Sequence, residues 1–240
     1  MFRRRRDSTS SEDSFDAAER IAGLDLSSRV RRTGASLQIQ TFVFIDLEAT
    51  GLPDSMGNMP DMTELAMVAI SRKFIEESAS DGQIPRVKDK ITLCLRPEKT
   101  LSSNAERLSG LSKPMLEKYD KKPMNSDVVG AVRYFLRRQA GPVCLVSHAG
   151  EMLDFPVLRR ELAKAGGSWD TVYTADSLKF FQDHLPRQQK KTLQSLCQRY
   201  LRFEPTHDAE SDAIGLLRLL TSPTFSQKFL DWAQRKKRQF

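Results

Sequence analysis

The chain has 240 residues, of which 39% are hydrophobic and 29% are charged. This composition is typical of a globular protein with a sizeable core and excludes a wholly disordered chain. No apolar run approaches the roughly 20 residues that span a bilayer, and the N-terminus lacks an apolar signal-like stretch. We therefore expect no membrane partner and a cytoplasmic or nuclear location. The net charge of +7 and the pI of about 9.4 favour polyanionic partners, nucleic acid first.

The N-terminal segment differs in composition from the rest of the chain. Residues 1–38 are rich in Arg, Ser, Asp and Glu and poor in large apolar side chains. This predicts a disordered basic and polar tail, followed by one folded domain over residues 39–240. The run Arg3–Arg6 is either a solvated charge cluster or a contact for nuclear import or nucleic acid.

Three strands are predicted in the first half of the domain. The segment FVFI at 42–45 is aromatic and β-branched, which is typical of a buried strand. A second strand is predicted at 63–74 (TELAMVAISRKF), with a helix as the alternative for its first half, and a third at 91–96 (ITLCLR). Their short connections predict an antiparallel meander.

The second half of the chain alternates helices with strands. Helices are predicted over 103–119, 125–139, 154–167, 192–201, 209–220 and 226–240, and strands over 141–148 and 171–176. Asn125 or Ser126 is a plausible cap for the second of these helices. This order predicts one α/β domain with a mixed five-stranded sheet flanked by helices.

Two carboxylates come directly after the first predicted strand. Asp46 and Glu48 follow FVFI, and Gly51 and Pro53 then break the strand pattern. Side chains two residues apart point to the same face of a strand. Two like charges therefore lie side by side at the end of a core element, where each raises the pKa of the other. Such a pair calls for a cationic partner.

Two other segments add acidic residues and a histidine. Asp154 precedes Phe155 and Pro156, and because proline is tolerated in a first helical turn, Asp154 lies at or beside a helix N-terminus. His207 and Asp212 are five residues apart, about 500° on one continuous helix, so they meet only if His207 precedes the helix. Ordinary capping or surface roles are the alternative for each segment.

Together these residues match a known chemical requirement. Divalent Mg²⁺ and Mn²⁺ prefer carboxylate oxygens. Two such ions about 4 Å apart clamp the attacking and leaving oxygens of an in-line phosphoryl displacement. A histidine accepts the proton of the attacking water, since imidazole titrates near neutral pH. The chain therefore has the residues for a two-metal site, namely Asp46, Glu48, Asp154, Asp212 and His207.

Three motifs, FIDLEATGLP, LVSHAGEMLDFPVL and HDAESD, occur in this order. They resemble the motifs of the DEDDh 3′-to-5′ exonucleases of the DnaQ-like superfamily. DLEATGLP, RLSGLS (107–112), CLVSHAG and ADSLKFF (175–181) resemble more closely the three-prime repair exonucleases (TREX). The resemblance covers roughly residues 41–220 and implies an RNase H-like mixed sheet flanked by helices.

The resemblance implies a metal-dependent 3′-to-5′ DNA exonuclease that releases 5′-mononucleotides. Asp46 would bridge two Mg²⁺ ions, with Mn²⁺ as the alternative. Glu48 and Asp212 would bind the first ion, and Asp154 would act on the second. His207 would be the general base that activates water.

The same resemblance implies a set of substrate-binding residues. The main chain around Glu48 and Ala49 would receive the terminal 3′-hydroxyl group. Leu52 would wedge against the terminal bases, and Leu108 would stack near it. His148 belongs to the same set. Core packing is the alternative for both leucines.

Two positions depart from the family pattern. Ala149 stands where many relatives have Asn after the histidine, and Leu153 stands where familiar members carry an aromatic residue. We expect the Asn-mediated contact to be absent and base stacking at Leu153 to be weaker.

Three other functions stay open. The same five residues serve an exoribonuclease or oligoribonuclease. A non-catalytic module that binds nucleic-acid ends would be favoured by a missing ligand, and none is missing. A proofreading subunit would use the tail over 1–38 to dock on a polymerase. The expected partners are single-stranded or frayed 3′ ends of DNA and, by family analogy, a second copy of the chain in a homodimer.

Overall fold

A computed structural model describes residues 37–54, 56–77, 84–167 and 172–240. Residues Gln38–Phe240 form one compact unit. Nearly all of the predicted N-terminal tail, including the Arg3–Arg6 run, lies outside the described residues, so its disorder stays a prediction.

The centre of this unit is a mixed sheet with the strand order β3-β2-β1-β4-β5-β6. Its strands are β1 (Thr41–Ala49), β2 (Met62–Ser71), β3 (Asp89–Cys94), β4 (Val143–Ser147), β5 (Val172–Asp176) and β6 (Arg238–Gln239). The pairs β1–β2, β2–β3 and β5–β6 are antiparallel, whereas β1–β4 and β4–β5 are parallel. The predicted antiparallel meander and mixed sheet are confirmed.

Helices cover the sheet and carry part of the candidate site. In the described residues they are α1 (Arg72–Glu77), α2 (Ser103–Ser109), α3 (Lys113–Lys118), α4 (Ser126–Arg137), α5 (Asp154–Lys164), α6 (Ser177–His184), α7 (Leu193–Leu201), α8 (Ala209–Thr221) and α9 (Ser226–Lys236). The predicted cap of α4 is confirmed, because the side chain of Asn125 accepts a hydrogen bond from Val128 N. None of these helices combines the length and the apolar character that crossing a membrane requires.

Two predicted elements end earlier than the sequence pattern indicates. The predicted strand over 63–74 stops at Ser71, and its last residues begin α1. The predicted helix over 103–119 is two helices, α2 and α3. Gly110 ends α2 with a φ of 70°, and the Ser112 side chain caps α3. A left-handed glycine followed by a capping serine favours this break over one continuous helix.

The prediction for the C-terminus was also wrong. The helix predicted over 226–240 ends at Lys236. Arg238–Gln239 pair with β5 and form a sixth strand, whereas the sequence predicted five strands. Phe240 N then donates a hydrogen bond to Val172 O at 2.8 Å. A two-residue strand has no periodicity of its own, so only its tertiary contact with β5 defines it.

Strand β1 is covered on both faces. Phe42 and Phe44 pack on Phe229, with ring centroids 5.3 and 6.4 Å apart. Val43 and Ile45 belong to the core cluster on the opposite face. This double burial explains the continuous apolar run before Asp46. Because alternate residues share a face of a strand, Asp46 and Glu48 lie on the same face of β1 as Phe42 and Phe44.

Two glycines allow backbone propensity to be separated from close packing. Gly130 lies exposed inside α4, and a Cβ added there meets no atom of the described residues within 4 Å. At Gly150 an added Cβ would lie 2.7 Å from Ser147 Cβ and 2.8 Å from the Phe155 ring. We expect Gly130→Ala to raise the free energy of unfolding by about 1 kcal/mol. We expect Gly150→Ala to lower it by about 1–3 kcal/mol because it overpacks the core. Urea denaturation measures both, and equal effects of the two substitutions would contradict the packing described for Gly150.

Candidate active site

The predicted acidic residues meet at one edge of the sheet. Parallel strands β1, β4 and β5 place their carboxyl ends there. Asp46 and Glu48 lie near the end of β1, and Asp154 is the first residue of α5, which follows β4. Asp212 lies in the first turn of α8, which packs on β1 and β2. The elements that carry these side chains therefore approach one another.

Like charge and burial raise the pKa of both carboxylates on β1. Burial raises the pKa of Asp46 well above its ordinary value, and the charges of Asp154, Asp212 and Glu48 add to the effect. Burial, together with the charges of Asp212, Glu64 and Asp154, raises the pKa of Glu48 to about 8. These mutual effects place the four predicted carboxylates in one electrostatic cluster.

Asp154 and Asp212 are nearly removed from solvent, with exposed fractions of 5% and 8%. Burial raises the pKa of each to about 6. Within the described part of the chain, no group donates a hydrogen bond to the buried Oδ1 atom of Asp212. A buried charged oxygen without a partner costs free energy. Asp212 is therefore suited to a cation that would contact this oxygen.

The donor chemistry of the cluster fits a hard divalent cation, because all four side chains offer carboxylate oxygens. In the part of the chain that the structure describes, no three Asp, Glu, His or Cys side chains are arranged to hold one metal ion together.

His207 lies before α8 and not within it, as its pairing with Asp212 requires. Its charge lowers the pKa of Asp212, so the two side chains interact. The ring is exposed, and its Nδ1 atom accepts a long hydrogen bond of 3.4 Å from Gln194 Nε2. The imidazole is thus placed beside the carboxylate cluster with access to solvent.

Both ring nitrogens of His148 have partners inside the protein. Nε2 lies 2.7 Å from Lys191 O, and Nδ1 lies 2.9 Å from Ser177 Oγ. Burial lowers the pKa of this histidine, which favours the neutral ring. Nε2 then donates to the Lys191 carbonyl, and Nδ1 accepts from the Ser177 hydroxyl. Contact of His148 with substrate stays a prediction. Because both ring nitrogens have partners, such a contact would involve the ring carbons.

Asp176 fixes the loop that leads from β4 to Asp154. Its Oδ1 accepts a hydrogen bond from Ala149 N at 3.0 Å, and its Oδ2 accepts one from Glu151 N at 3.1 Å. Ala149 adopts a φ of 61°, which is uncommon for a residue with a side chain. Leu153 is partly buried against the core. The two positions that depart from the family pattern therefore have structural roles in this loop.

The two predicted leucines lie at the surface. Leu52 is 78% exposed and Leu108 is 40% exposed, which excludes core packing for Leu52. Leu52 lines a cleft of about 270 Å³ together with Thr50 and Lys99. The pairing register of β1 with β2 shifts between Glu48 and Ala49. Such a bulge redirects the main chain at this point.

The sequence pattern does not single out a fifth carboxylate, Glu64. It lies directly opposite Glu48 in the pairing of β1 with β2. Directly opposed side chains share a face of the sheet, so Glu64 faces the same cluster. Burial raises the pKa of Glu64, and its charge raises that of Glu48. The available signal was one acidic residue, Glu64, directly before the apolar run LAMVAI.

Comparison with known proteins relates the chain to nucleases. Residues 43–220 match the family model described as Exonuclease. Three prime repair exonuclease 2 of Homo sapiens is 37% identical over 215 residues, which cover 83% of this chain and 89% of the relative. Three-prime repair exonuclease 1 of Bos taurus is 37% identical over 198 residues, which cover 75% of this chain and 62% of the relative.

A solved structure supports the fold. Escherichia coli exonuclease I, in complex with a dA16 oligonucleotide, matches with a TM-score of 0.58 at 15% sequence identity. The match covers 80% of this chain and 42% of that chain. The RNase H-like α/β fold is thereby confirmed, with six strands in place of the five predicted.

The pKa shifts predict how the metal-free protein responds to pH. Glu48, Asp154 and Asp212 have pKa values of about 8, 6 and 6 in the folded protein, above their ordinary values of 4.5, 3.8 and 3.8. The folded state therefore keeps protons that the unfolded chain has released. The stability from this difference is complete below the ordinary values and is lost as pH rises through the folded values.

We therefore expect the melting temperature in EDTA to fall as pH rises from about 4.5 to about 8. Glu48→Gln should flatten the upper part of this decline because it removes a group whose pKa is about 8. The exposed Glu77 provides a matched control, and Glu77→Gln should leave the slope unchanged. A melting temperature that rises across this range would contradict the electrostatics of the site.

Proposed function

This chain belongs to the three prime repair exonuclease family, and on that premise we propose that it hydrolyses the 3′-terminal phosphodiester of DNA with two divalent metal ions. The family assignment makes it a 3′-to-5′ DNA exonuclease. The two-metal reaction, the release of 5′-mononucleotides and the residue roles are the proposal. The observation that carries it is the cluster of four buried or partly buried, mutually repelling carboxylates beside a histidine.

Asp46, Glu48, Asp154 and Asp212 would hold the metal ions. Exonucleases of this family generally depend on divalent metals, and carboxylate oxygens suit Mg²⁺, with Mn²⁺ as the alternative. The unpartnered Oδ1 of Asp212 supports this assignment. When bound, the ions would stabilise the negative charge that develops on the attacking and leaving oxygens.

His207 is the proposed general base. Its exposed ring lies beside Asp212, whose charge would stabilise the imidazolium formed when His207 takes a proton from the attacking water. Histidine suits this task because its charge changes near neutral pH. The long contact with Gln194 leaves the ring free to adjust to the water.

The 3′ end of the strand would enter beside Leu52 and Leu108. Exposed apolar side chains offer stacking surfaces for unpaired bases. The redirected main chain at Glu48 and Ala49 would receive the terminal 3′-hydroxyl group. These features support single-stranded or frayed DNA ends as substrate. A homodimer stays a prediction, for which β3, the edge strand of the sheet that the described residues form, is a candidate contact.

The reaction is tested with 5′-labelled single-stranded DNA and an RNA of the same sequence. We expect DNA to shorten from its 3′ end with Mg²⁺, and we expect no shortening with EDTA or with Asp46→Ala. Asp231→Ala removes an exposed aspartate of α9 and should behave as wild type. Near-normal turnover by Asp46→Ala would refute the metal assignment. Shortening of RNA alone would move the proposal to RNA turnover.

A second experiment tests the stacking role of Leu52. Val87 is the matched control, since these side chains are 78% and 83% exposed. We expect both alanine substitutions to change the free energy of unfolding by less than about 0.5 kcal/mol. Leu52→Ala should also lower kcat/KM about tenfold, equivalent to about 1.4 kcal/mol, within the range for one lost base stack. Equal kcat/KM values for Leu52→Ala and Val87→Ala would exclude a substrate contact.

A further inference from the structure

The backbone conformation of His207 determines its position more than the contacts of its ring do. The residue adopts a φ of 57°, a left-handed conformation that is unfavourable for a residue with a Cβ atom. Its ring is exposed, and the one hydrogen bond that it accepts from the described residues is the long 3.4 Å bond from Gln194. Neighbouring contacts must therefore impose this backbone conformation and, with it, the direction of the imidazole.

Hydrogen bonds of the residues before and after His207 fix the loop to the start of α8. Thr206 N donates to Ser211 Oγ at 3.0 Å, and Thr206 Oγ1 donates to Asp208 Oδ2 at 2.5 Å. The other oxygen of Asp208, Oδ1, accepts from Ser211 N at 2.8 Å and caps the helix. All three bonds lie within the segment 206–211, so they do not fix His207 relative to the sheet that carries Asp46.

A partly buried contact joins this segment to the sheet. Ala209 N, the first amide of α8, donates to Glu64 Oε2 of β2 at 3.0 Å. A carboxylate at this position is favoured because the helix dipole and the charge-assisted bond act together. Glu64 is also the direct neighbour of Glu48 across the β1–β2 pair. The bond therefore relates the backbone two residues after His207 to the strand that carries the proposed metal ligands.

A second link to the sheet is more exposed. Glu210 accepts from Lys90 Nζ at 2.6 Å and from Thr92 Oγ1 at 2.7 Å, both on β3. The Lys90 side chain is about half exposed, and an exposed ion pair contributes little stability. Glu64 is thus the stronger candidate for fixing the N-terminus of α8.

We propose that Glu64 is a positioning residue for the general base. Its Oε2 atom holds the Ala209 amide and so places His207 relative to Glu48 and Asp46. This inference rests on the proposed function, since it assumes that His207 activates the water. This role requires a hydrogen-bond acceptor at position 64 but no negative charge. A metal-ligand role would require the charge, so the two roles can be distinguished.

Glu64→Ala and Glu64→Gln test this role against each other. The first removes the acceptor, and the second keeps an acceptor oxygen without the charge. We expect Glu64→Ala to lower kcat about ten- to a hundredfold with little change in KM, since a displacement of about 1 Å can cost about 10²-fold. Glu64→Gln should stay within about threefold of wild type. If Glu64→Ala melts below the assay temperature, Glu64→Met replaces it, because it keeps side-chain length and replaces the carboxylate with a thioether, which is only a weak acceptor.

The same substitutions in a His207→Ala background test whether Glu64 acts through His207. We expect Glu64→Ala to cause no further loss of kcat there, because residues that act as one unit are not additive. An undiminished further loss would overturn the positioning role. Equal damage by Glu64→Gln and Glu64→Ala would show that the charge is required and would also overturn it.

Hydrogen exchange of the Ala209 amide provides a measurement that does not depend on turnover. We expect faster exchange in Glu64→Ala and near-wild-type exchange in Glu64→Gln, since exchange reports local opening. Unchanged exchange in Glu64→Ala would overturn the inference. An inactive wild-type protein would instead refute the proposed function, whereas an active wild type with a fully active Glu64→Ala would refute only the role of Glu64.

Discussion

The mutual repulsion of carboxylates in one buried site is the constraint on which the rest of the structure depends. Strand β1 is packed on both faces, and this packing removes Asp46 and Glu48 in part from water. Helices α5 and α8 add Asp154 and Asp212 to the same place. Each addition costs free energy because burial and like charge both oppose ionisation. The apolar contacts of the core must offset this cost in the absence of cations.

Elsewhere the chain treats buried carboxylates differently. Asp61 is only 3% exposed, yet its pKa lies below the ordinary value. Burial alone would raise that pKa, but the amide of Lys99 and the charges of Lys164 and Arg160 outweigh burial. Arg160 Nη2 lies 3.0 Å from Asp61 Oδ1 and 2.5 Å from Glu161 Oε1. Asp61 and Glu161 are therefore paired with cationic side chains, whereas within the described residues no salt bridge pairs Asp46, Glu48, Asp154 or Asp212. Carboxylates that have no cationic side chain as a partner are what a metal site requires.

Local sequence signals predicted those parts of the site that depend on short spacings. Asp46 and Glu48 share a face because they are two residues apart on a strand, and Asp154 begins a helix because Pro156 permits it. Other features depend on contacts between distant segments. Glu64 meets Ala209 across 145 positions, and the partners of His148 lie 29 and 43 positions away. No local pattern encodes such pairs, which is also why the short strand β6 was missed.

The central claim is that the carboxylate cluster opposes folding until cations bind to it. Thermal unfolding of wild type and Asp46→Ala, each with EDTA and with Mg²⁺, tests this claim most directly. We expect Asp46→Ala to melt above wild type in EDTA, by about 2–4 °C for each kcal/mol of repulsion removed. Mg²⁺ should raise the melting temperature of wild type more than that of Asp46→Ala, because only the intact site binds the ion well. A wild type that melts above Asp46→Ala in EDTA and gains nothing from Mg²⁺ would contradict the account.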